Sequence, residues 1–497
     1  MISIDIIGTD LILLTDNPTL PEIFKYDSGS MVFDFKTKQM VWGSKKSSIY
    51  ESSRVSKKSG LTKIKFKIGW GLLILNMFKS YLSPDDKQKI LDTIYSKNIR
   101  VTPFPNLRDY QNDDVLHLLK YKYGLFSCYT GYGKSEIIAT LINYIIEETE
   151  DKVLILVPSI KCKDEIVKRC KTKFDISIPS DRIGLIVTSG VTSSKRFKDI
   201  ALLEVTKIEM QSYKWVIADE VEYTINKGGL IVLELCTNVE HRYGFSATAD
   251  KVGGRMISFA NGLSDIVTRN KDLISYYGPS LIYRVPMHLN INMIDIRTPC
   301  FNNVSINSSD VSKDSNIYMT ILRKLWMNYD TCDLITRLIK YYPKLFIPIN
   351  DLHEIIYNWI DNWWRDKYNI LLISGGGYIY YEKGLDRYRK VDLSEACSLI
   401  NNNLVDVIPS TSSGYRALDL PGLENILLIQ GKIAGVYIQS IGRVARNKNV
   451  NVITLIPDPY RTIPVYTKGI NLRDENTREL YKYCKITDIT KYDAELI

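Results

Sequence analysis

Long hydrophobic runs are missing from this 497-residue chain. No stretch approaches the roughly 20 uninterrupted apolar residues a helix needs to cross a bilayer, so no membrane partner is expected and the chain reads as soluble. Histidine is scarce, four in all, and the eight cysteines, Cys128, Cys162, Cys170, Cys236, Cys300, Cys332, Cys397 and Cys484, are scattered without a CxxC pair. Zinc sites draw on such pairs and on clustered histidines. Neither is present, and His241 and His353 lack metal-like spacing to any partner. The spacing suits buried free thiols better than bridges. A leader is missing too: MISIDIIGTD carries acids early and lacks a basic, then apolar, then small-residue order, so the chain is expected not to be secreted and to stay in a reducing compartment. Net charge is only +9, which permits an anionic partner without requiring one.

What is present has ordinary globular proportions, 45% hydrophobic and 24% charged, over a length that calls for two or three folding units. The first hundred residues are β-rich. MVFDFKTKQMVW predicts two short strands around a Lys36-Thr37-Lys38 turn, and TKIKFKIGW alternates strictly, with Ile64, Phe66 and Ile68 on one face and Lys63, Lys65 and Lys67 on the other. With Lys45, Lys46, Arg54, Lys57 and Lys58, that cationic face could follow a phosphate backbone; a solvated edge protected by lysines is the plainer alternative. From about Arg108 the texture changes to short apolar runs separated by amphipathic stretches, the pattern of parallel strands joined by helical crossovers. Strands are expected at Leu125 to Cys128, Val153 to Val157, Ile183 to Val187, Trp215 to Ala218 and Tyr243 to Ser246, then again at Leu345 to Ile349, Ile370 to Ile373, Ile426 to Ile429 and Val452 to Ile456. The polar segment Pro299 to Asn316 suits a linker.

Two elements carry chemistry. Thr130-Gly131-Tyr132-Gly133-Lys134-Ser135 follows an apolar run and leads into IIATLINYII, the strand, loop and helix context of a phosphate loop. Glycines let backbone N–H groups approach phosphates, the helix N-terminus adds partial positive charge, Lys134 reaches the β and γ phosphates, and Ser135 can ligate Mg²⁺. Cys128 stands where the common pattern has glycine. The second element, WVIADEVE, delivers Asp219 and Glu220 at a strand end, where one carboxylate can hold the metal and the next can orient and deprotonate water.

The order of elements resembles superfamily 2 helicases and translocases over roughly Asn106 to Pro457. Leu107-Arg108-Asp109-Tyr110-Gln111 is similar to their adenine-reading segment, which implies that Arg108 and Gln111 contact the base. Val157-Pro158-Ser159 resembles motif Ia, and the resemblance implies nucleic-acid contact by Ser159, Lys161, Thr188 and Thr411. Ser246-Ala247-Thr248 matches the SAT triplet that links hydrolysis to movement, with Ser246 and Thr248 as coupling residues. Thr411 to Gly414 through Asp419 looks like motif V, placing Gly414 and Asp419 at the nucleotide, and Gln439 to Arg446 fits QxxGRxxR, with Gln439, Arg443 and Arg446 implied in catalysis. Arginines suit that role because charge spread over the γ-phosphoryl oxygens needs a cation that arrives on closure. Glu222, in DEVE, departs from the Asp or His of the named branches.

The resemblance implies an α/β fold of two tandem RecA-like parallel-sheet domains with a small β-rich N-terminal domain. The expected division is 1–98 for that N-terminal domain, 99–298 for the ATP-binding domain, 299–325 for a linker, 326–470 for the second RecA-like domain and 471–497 for a tail. It implies an ATP- and Mg²⁺-dependent motor. LISYYGPSLIYRVP resembles the DNA translocases of repair and recombination, and the overall plan resembles the poxvirus DNA helicases that release transcripts. These likenesses imply DNA as track, 3′ to 5′ polarity, an RNA polymerase elongation complex and other viral transcription proteins as partners, and a location in cytoplasmic viral factories and the virion. An RNA helicase and a nucleotide-binding transcription adaptor without motor activity remain alternatives. Trp359, Trp363 and Trp364 could stack on bases, though an aromatic core is the commoner use of such a helix. The Ser374-Gly375-Gly376-Gly377 run is expected to be a turn.

Overall fold

A computed structural model describes the chain except residues 1, 28–29, 35–38, 44–45, 58, 98–101, 130, 189–203, 248–256, 259–263, 266–270, 285–289, 300–322, 350–352, 375–376, 386, 412–421, 429–448, 458–484 and 494–497. Two compact units result, one of Met1–Cys128 and Tyr132–Arg284, the other of Tyr129–Gly131 and Val285–Ile497. Among the described residues no helix is long and apolar enough to cross a membrane.

The first unit opens with strands β1 (Ile2–Ile7), β2 (Asp10–Thr15), β3 (Lys25–Asp27), β4 (Ser30–Asp34), β5 (Gln39–Gly43), β6 (Lys46–Ser48), β7 (Ser52–Val55) and β8 (Thr62–Lys67). Four of them form an antiparallel sheet in the order β1-β2-β8-β7, and β4 pairs with β5 as the hairpin expected from MVFDFKTKQMVW. Alternation in β8 buries Ile64 and Phe66 with Leu11, Leu13 and Phe24, beneath the helices Gly71–Phe78 and Pro84–Ile94. This layer packs directly against the helix Lys271–Tyr277. Trp70 Nε1 donates to Ser275 Oγ at 2.9 Å, and a Cβ on Gly69 would lie 1.8 Å from the carbonyl oxygen of Ile274, so only glycine allows that approach.

The cationic face expected on β8 is largely neutralised. Lys65 Nζ lies 2.7 Å from Asp10 and 3.3 Å from Glu51, while the buried Lys67 is ringed by Asp10, Glu51 and Glu234 at 3.1, 3.4 and 3.2 Å. Burial opposes the Lys67 charge, but those three carboxylates outweigh it and hold its pKa above the usual lysine range. Lys63 alone of the three stays exposed.

Strands β9 (Tyr123–Cys128), β10 (Lys152–Val157), β11 (Ile183–Val187), β12 (Tyr213–Asp219), β13 (His241–Ser246) and, after the two-residue pair β14 (Ile257–Ser258) and β15 (Ser264–Asp265), β16 (Ser280–Arg284) build the first α/β domain. They form one sheet in the order β11-β10-β12-β13-β9-β16, with every pairing parallel. The apolar runs read from the sequence are five of its strands, with Ile183 to Val187 at one edge as β11; Val153 to Val157 in β10 are each 1% exposed or less, as a sheet covered on both faces requires.

The second unit holds β17 (Asn290–Thr298), β18 (Leu345–Ile349), β19 (Ile370–Ser374), β20 (Gly377–Tyr381), β21 (Tyr388–Val391), β22 (Val407–Thr411), β23 (Asn425–Leu428), β24 (Asn449–Pro457) and β25 (Lys485–Asp493) in the order β21-β20-β19-β22-β18-β23-β24-β17-β25. Only β19-β20 and β20-β21 are antiparallel. The fold is therefore the expected pair of RecA-like α/β domains with a small antiparallel N-terminal sheet. The expected boundaries move, however: β17 at 290–298 and β25 at 485–493 are strands of the second sheet, not the end of the first domain and a tail. Asparagines lock β17 to β24, Asn290 Nδ2 to Asn449 Oδ1 at 2.9 Å and Asn292 Nδ2 to Asn451 Oδ1 at 3.1 Å. Trp359 and Trp364 are fully buried and donate to Trp326 O at 2.8 Å and Thr336 Oγ1 at 3.1 Å, so these two are core, while Trp363 is half-buried against it. Ser374 pairs with Gly377 at the end of the β19-β20 hairpin; Gly375 and Gly376, where a turn was expected, lie outside the described residues.

Candidate functional site

In a parallel sheet every strand ends on the same edge, and loops after those ends converge there. The β9 end leads through Tyr129 and the 130–133 loop into the helix Lys134–Glu148. Gly131 and Gly133 have φ of +95° and +101°, which residues with a Cβ rarely adopt. Gly133 has a second reason to be glycine, since a Cβ there would lie 2.5 Å from Gln111 Nε2. Thr130 lies outside the described residues.

Lys134 Nζ is 3.0 Å from Glu220 Oε1, with both side chains only 10% exposed. Glu220 reaches it from a left-handed backbone, φ 44° and ψ 56°, between β12 and the short helix Val221–Thr224. Strain of this kind in a non-glycine residue persists where surrounding structure enforces it. Burial works against the Lys134 charge, but Glu220 and then Asp219 override it and keep the ammonium protonated above the usual lysine range. Asp219 is buried, and its Oδ1 accepts the Glu220 backbone N–H at 3.0 Å. Burial and the neighbouring Glu220 raise its pKa, opposed by Lys134. Glu222 is also buried, near enough for its charge to act on Lys134.

Ser135 Oγ donates to Glu165 Oε1 at 2.8 Å. Glu165, on the helix Ile160–Phe174, carries no sequence motif that would have singled it out. The donors fit a magnesium ion: the Ser135 hydroxyl and Asp219 carboxylate are hard oxygen ligands, and adjacent buried acids favour a cation between them. Among the described residues no three His, Cys, Asp or Glu gather to hold a metal unaided.

The segment expected to read the base braces the phosphate loop. Gln111 is buried; its Oε1 accepts from Arg108 N at 3.0 Å and its Nε2 donates to the Tyr132 carbonyl at 2.7 Å. Both ends of the amide are thus engaged by backbone, and Gln111 braces the phosphate loop. Arg108 is exposed and donates to Tyr110 Oη at 2.6 Å. A second brace was missed by sequence reasoning: the buried Tyr132 hydroxyl donates to Asp114, whose Oδ2 also accepts from Arg284 Nε at 2.9 Å. Asp114 follows Gln111 by three positions on one helix face, a spacing that could have revealed it.

Of the other expected residues, Ser246 is fully buried at the end of β13, paired in register with Ser127; Thr248 lies outside the described residues. Ser159 caps the helix Ile160–Phe174, its Oγ accepting from Cys162 N at 3.3 Å, and Lys161 is in the first turn with its side chain outside the described residues. Thr188 was expected to touch nucleic acid, but it is fully buried, accepts from Asn226 Nδ2 at 3.1 Å and donates to Val157 O at 3.4 Å. Thr411 is likewise buried, at the end of β22. Gly414, Asp419, Gln439, Arg443 and Arg446 lie outside the described residues.

Residues 104–248 match the family model described as type III restriction enzyme, res subunit. No curated protein sequence matches the chain. Among solved structures it is similar to UvsW of phage T4, at 15% identity over 99% of this chain and 99% of that one with a TM-score of 0.38. It is similar to the Mycobacterium smegmatis helicase Lhr bound to ssDNA and AMP-PNP, at 13% identity over 79% and 49% with a TM-score of 0.41. A third is Mss116p bound to ssRNA and AMP-PNP, at 16% identity over 78% and 75% with a TM-score of 0.47.

Proposed function

We propose that this protein is a nucleic-acid-dependent ATPase that moves along DNA, 3′ to 5′, opening the duplex and releasing nascent transcripts from a polymerase during viral transcription. The observation that carries the ATPase reading is the convergence of Lys134, Ser135, Asp219 and Glu220 at one sheet edge, inside the stretch that matches a helicase-superfamily domain. Lys134 is the phosphate-binding cation, Asp219 and Ser135 would hold Mg²⁺, and Glu220 takes the proton of the attacking water once Lys134 releases it. When bound, Mg²⁺ neutralises charge on the β and γ phosphates. Arg443 and Arg446 are assigned the γ-phosphoryl charge in the transition state. An intact acid and lysine pair speaks against an adaptor with a decayed site.

DNA as the track, the polarity and the transcript-release role are supported by the sequence resemblances of the GPSLIYR segment and of the overall plan. ATP turnover measured with DNA, with RNA and with neither tests both levels. Stimulation by DNA supports the reading, strong stimulation by RNA alone replaces it with an RNA helicase, and turnover that survives Lys134→Ala overturns the site.

A further inference from the structure

We propose that Glu165 is a positioning residue for the metal–nucleotide complex: it accepts the Ser135 hydroxyl proton and so turns the lone pairs of that oxygen toward Mg²⁺. The inference rests on the phosphate-loop reading of Thr130 to Ser135.

A serine that ligates a cation through oxygen must direct its proton elsewhere. An anionic acceptor both fixes that direction and makes the oxygen a stronger donor. Glu165 Oε1 occupies this role at 2.8 Å from Ser135 Oγ. The other carboxylate of the expected metal site, Asp219, already accepts the Glu220 backbone N–H at 3.0 Å. Glu165 is itself held in place. Arg169, one turn further along the same helix, sets its Nε and Nη2 3.4 and 3.3 Å from the same oxygen, and its Nη1 3.2 Å from Glu136 Oε2. Glu136 directly follows Ser135 and is also bonded by Lys173. The two helices Lys134–Glu148 and Ile160–Phe174 are therefore tied together by a chain of alternating charges that ends on the metal-facing hydroxyl. Glu165 is 28% exposed on its side chain and Arg169 33%, so the chain is half-buried and well placed to hold a rotamer.

This arrangement has a regulatory consequence. The helix that carries Glu165 is capped by Ser159, in the segment whose sequence resembles a nucleic-acid grip. Movement of that helix would act on Ser135 through one hydrogen bond.

The test is the Mg²⁺ dependence of binding of a fluorescent non-hydrolysable ATP analogue to the full-length protein, for wild type, E165A, E165Q, S135A and the E165A/S135A pair. The expected result is that E165A raises the Mg²⁺ concentration for half-maximal binding about tenfold or more, with analogue affinity in EDTA unchanged. E165Q, which keeps an acceptor oxygen but no charge, should fall between wild type and E165A, and adding E165A to S135A should change nothing further. An unshifted midpoint in E165A, a loss equally large in EDTA, or full additivity with S135A would overturn the proposal. Should E165A fail to fold, an unshifted midpoint in E165Q does the same. The two levels separate cleanly: a wild type that binds no analogue with Mg²⁺ sinks the ATPase reading, whereas Mg²⁺-dependent binding lost in S135A but untouched in E165A sinks only Glu165.

Discussion

Lys134 Nζ is held 3.0 Å from Glu220 Oε1, so the residue assigned to grip a phosphate is bonded to the residue assigned to activate water. Nucleotide must break this pair before either can act. Replacing Glu220 by Gln should therefore separate two effects. Turnover should fall about 10²- to 10⁴-fold with loss of the base, while binding of an ATP analogue tightens because Lys134 no longer leaves an ion pair. Analogue titration and steady-state turnover on the same preparation read both, and weaker binding in Glu220→Gln would show that the pair does not compete with nucleotide.

Gly133→Ala should damage the loop through its backbone. At φ +101° an L side chain is strained, by about 1–2 kcal/mol, and the new Cβ would meet Gln111 Nε2 at 2.5 Å. A fall in analogue affinity together with a lowered thermal midpoint is expected, and wild-type affinity would exclude the brace between Gln111 and the loop.

Asp114→Ala removes the acceptor shared by Tyr132 and Arg284. Loss of such a buried acceptor costs about 1–3 kcal/mol, readable by chemical denaturation. Because Tyr132 is a loop residue, the KM for ATP should rise as well, and a change in stability with no change in KM would confine Asp114 to packing.

His241 predicts a pH dependence. Its ring stacks on Trp215 with centroids 3.8 Å apart and planes at 7°, and burial, aided by Lys122, pushes its pKa down to about 3. In the unfolded chain that value is about 6.5. Between the two the unfolded state binds more protons, so this group's contribution to stability is present above about 6.5 and is lost as pH falls toward about 3. His241→Phe keeps the stack without the proton site, and its thermal midpoint should fall less than that of wild type between about pH 7 and about pH 5. Equal falls would mean that His241 titrates normally.

Strand legibility followed the pattern of burial. Runs such as Val153 to Val157, buried on both faces, were readable because nothing polar interrupts them. β22 was missed because Pro409, which has no N–H to donate, argues against a strand, yet it lies between β19 and β18. β17 was not read as a strand, and its residues were counted with the first domain, because its partner β24 lies far along the chain and because asparagines pairing across strands look like loop residues in sequence. At the site, Lys134, Ser135, Asp219 and Glu220 were legible because phosphate and metal chemistry dictates residue types at fixed offsets. Glu165 and Arg284 were not, since each acts through another side chain and any acceptor or donor at the right place serves, and Asp114 was overlooked although its spacing from Gln111 puts both on one helix face. Alternation in β8 was read correctly, but the carboxylates that neutralise Lys65 and Lys67 come from Asp10, Glu51 and Glu234, which periodicity within one strand does not reveal.

Strand β13 lies between β9, which leads into the phosphate loop, and β12, which delivers the acids. Phe245 is in register with both Asp219 and Phe126, and Ser246 with Ser127. The gap between Lys134 and the acids is thus measured by one intervening ribbon. A single-residue insertion in that ribbon would move its side chains to the opposite face and shift its pairing with both neighbours at once. β13 acts as a ruler, and its length should tolerate less change than that of either strand carrying the chemistry.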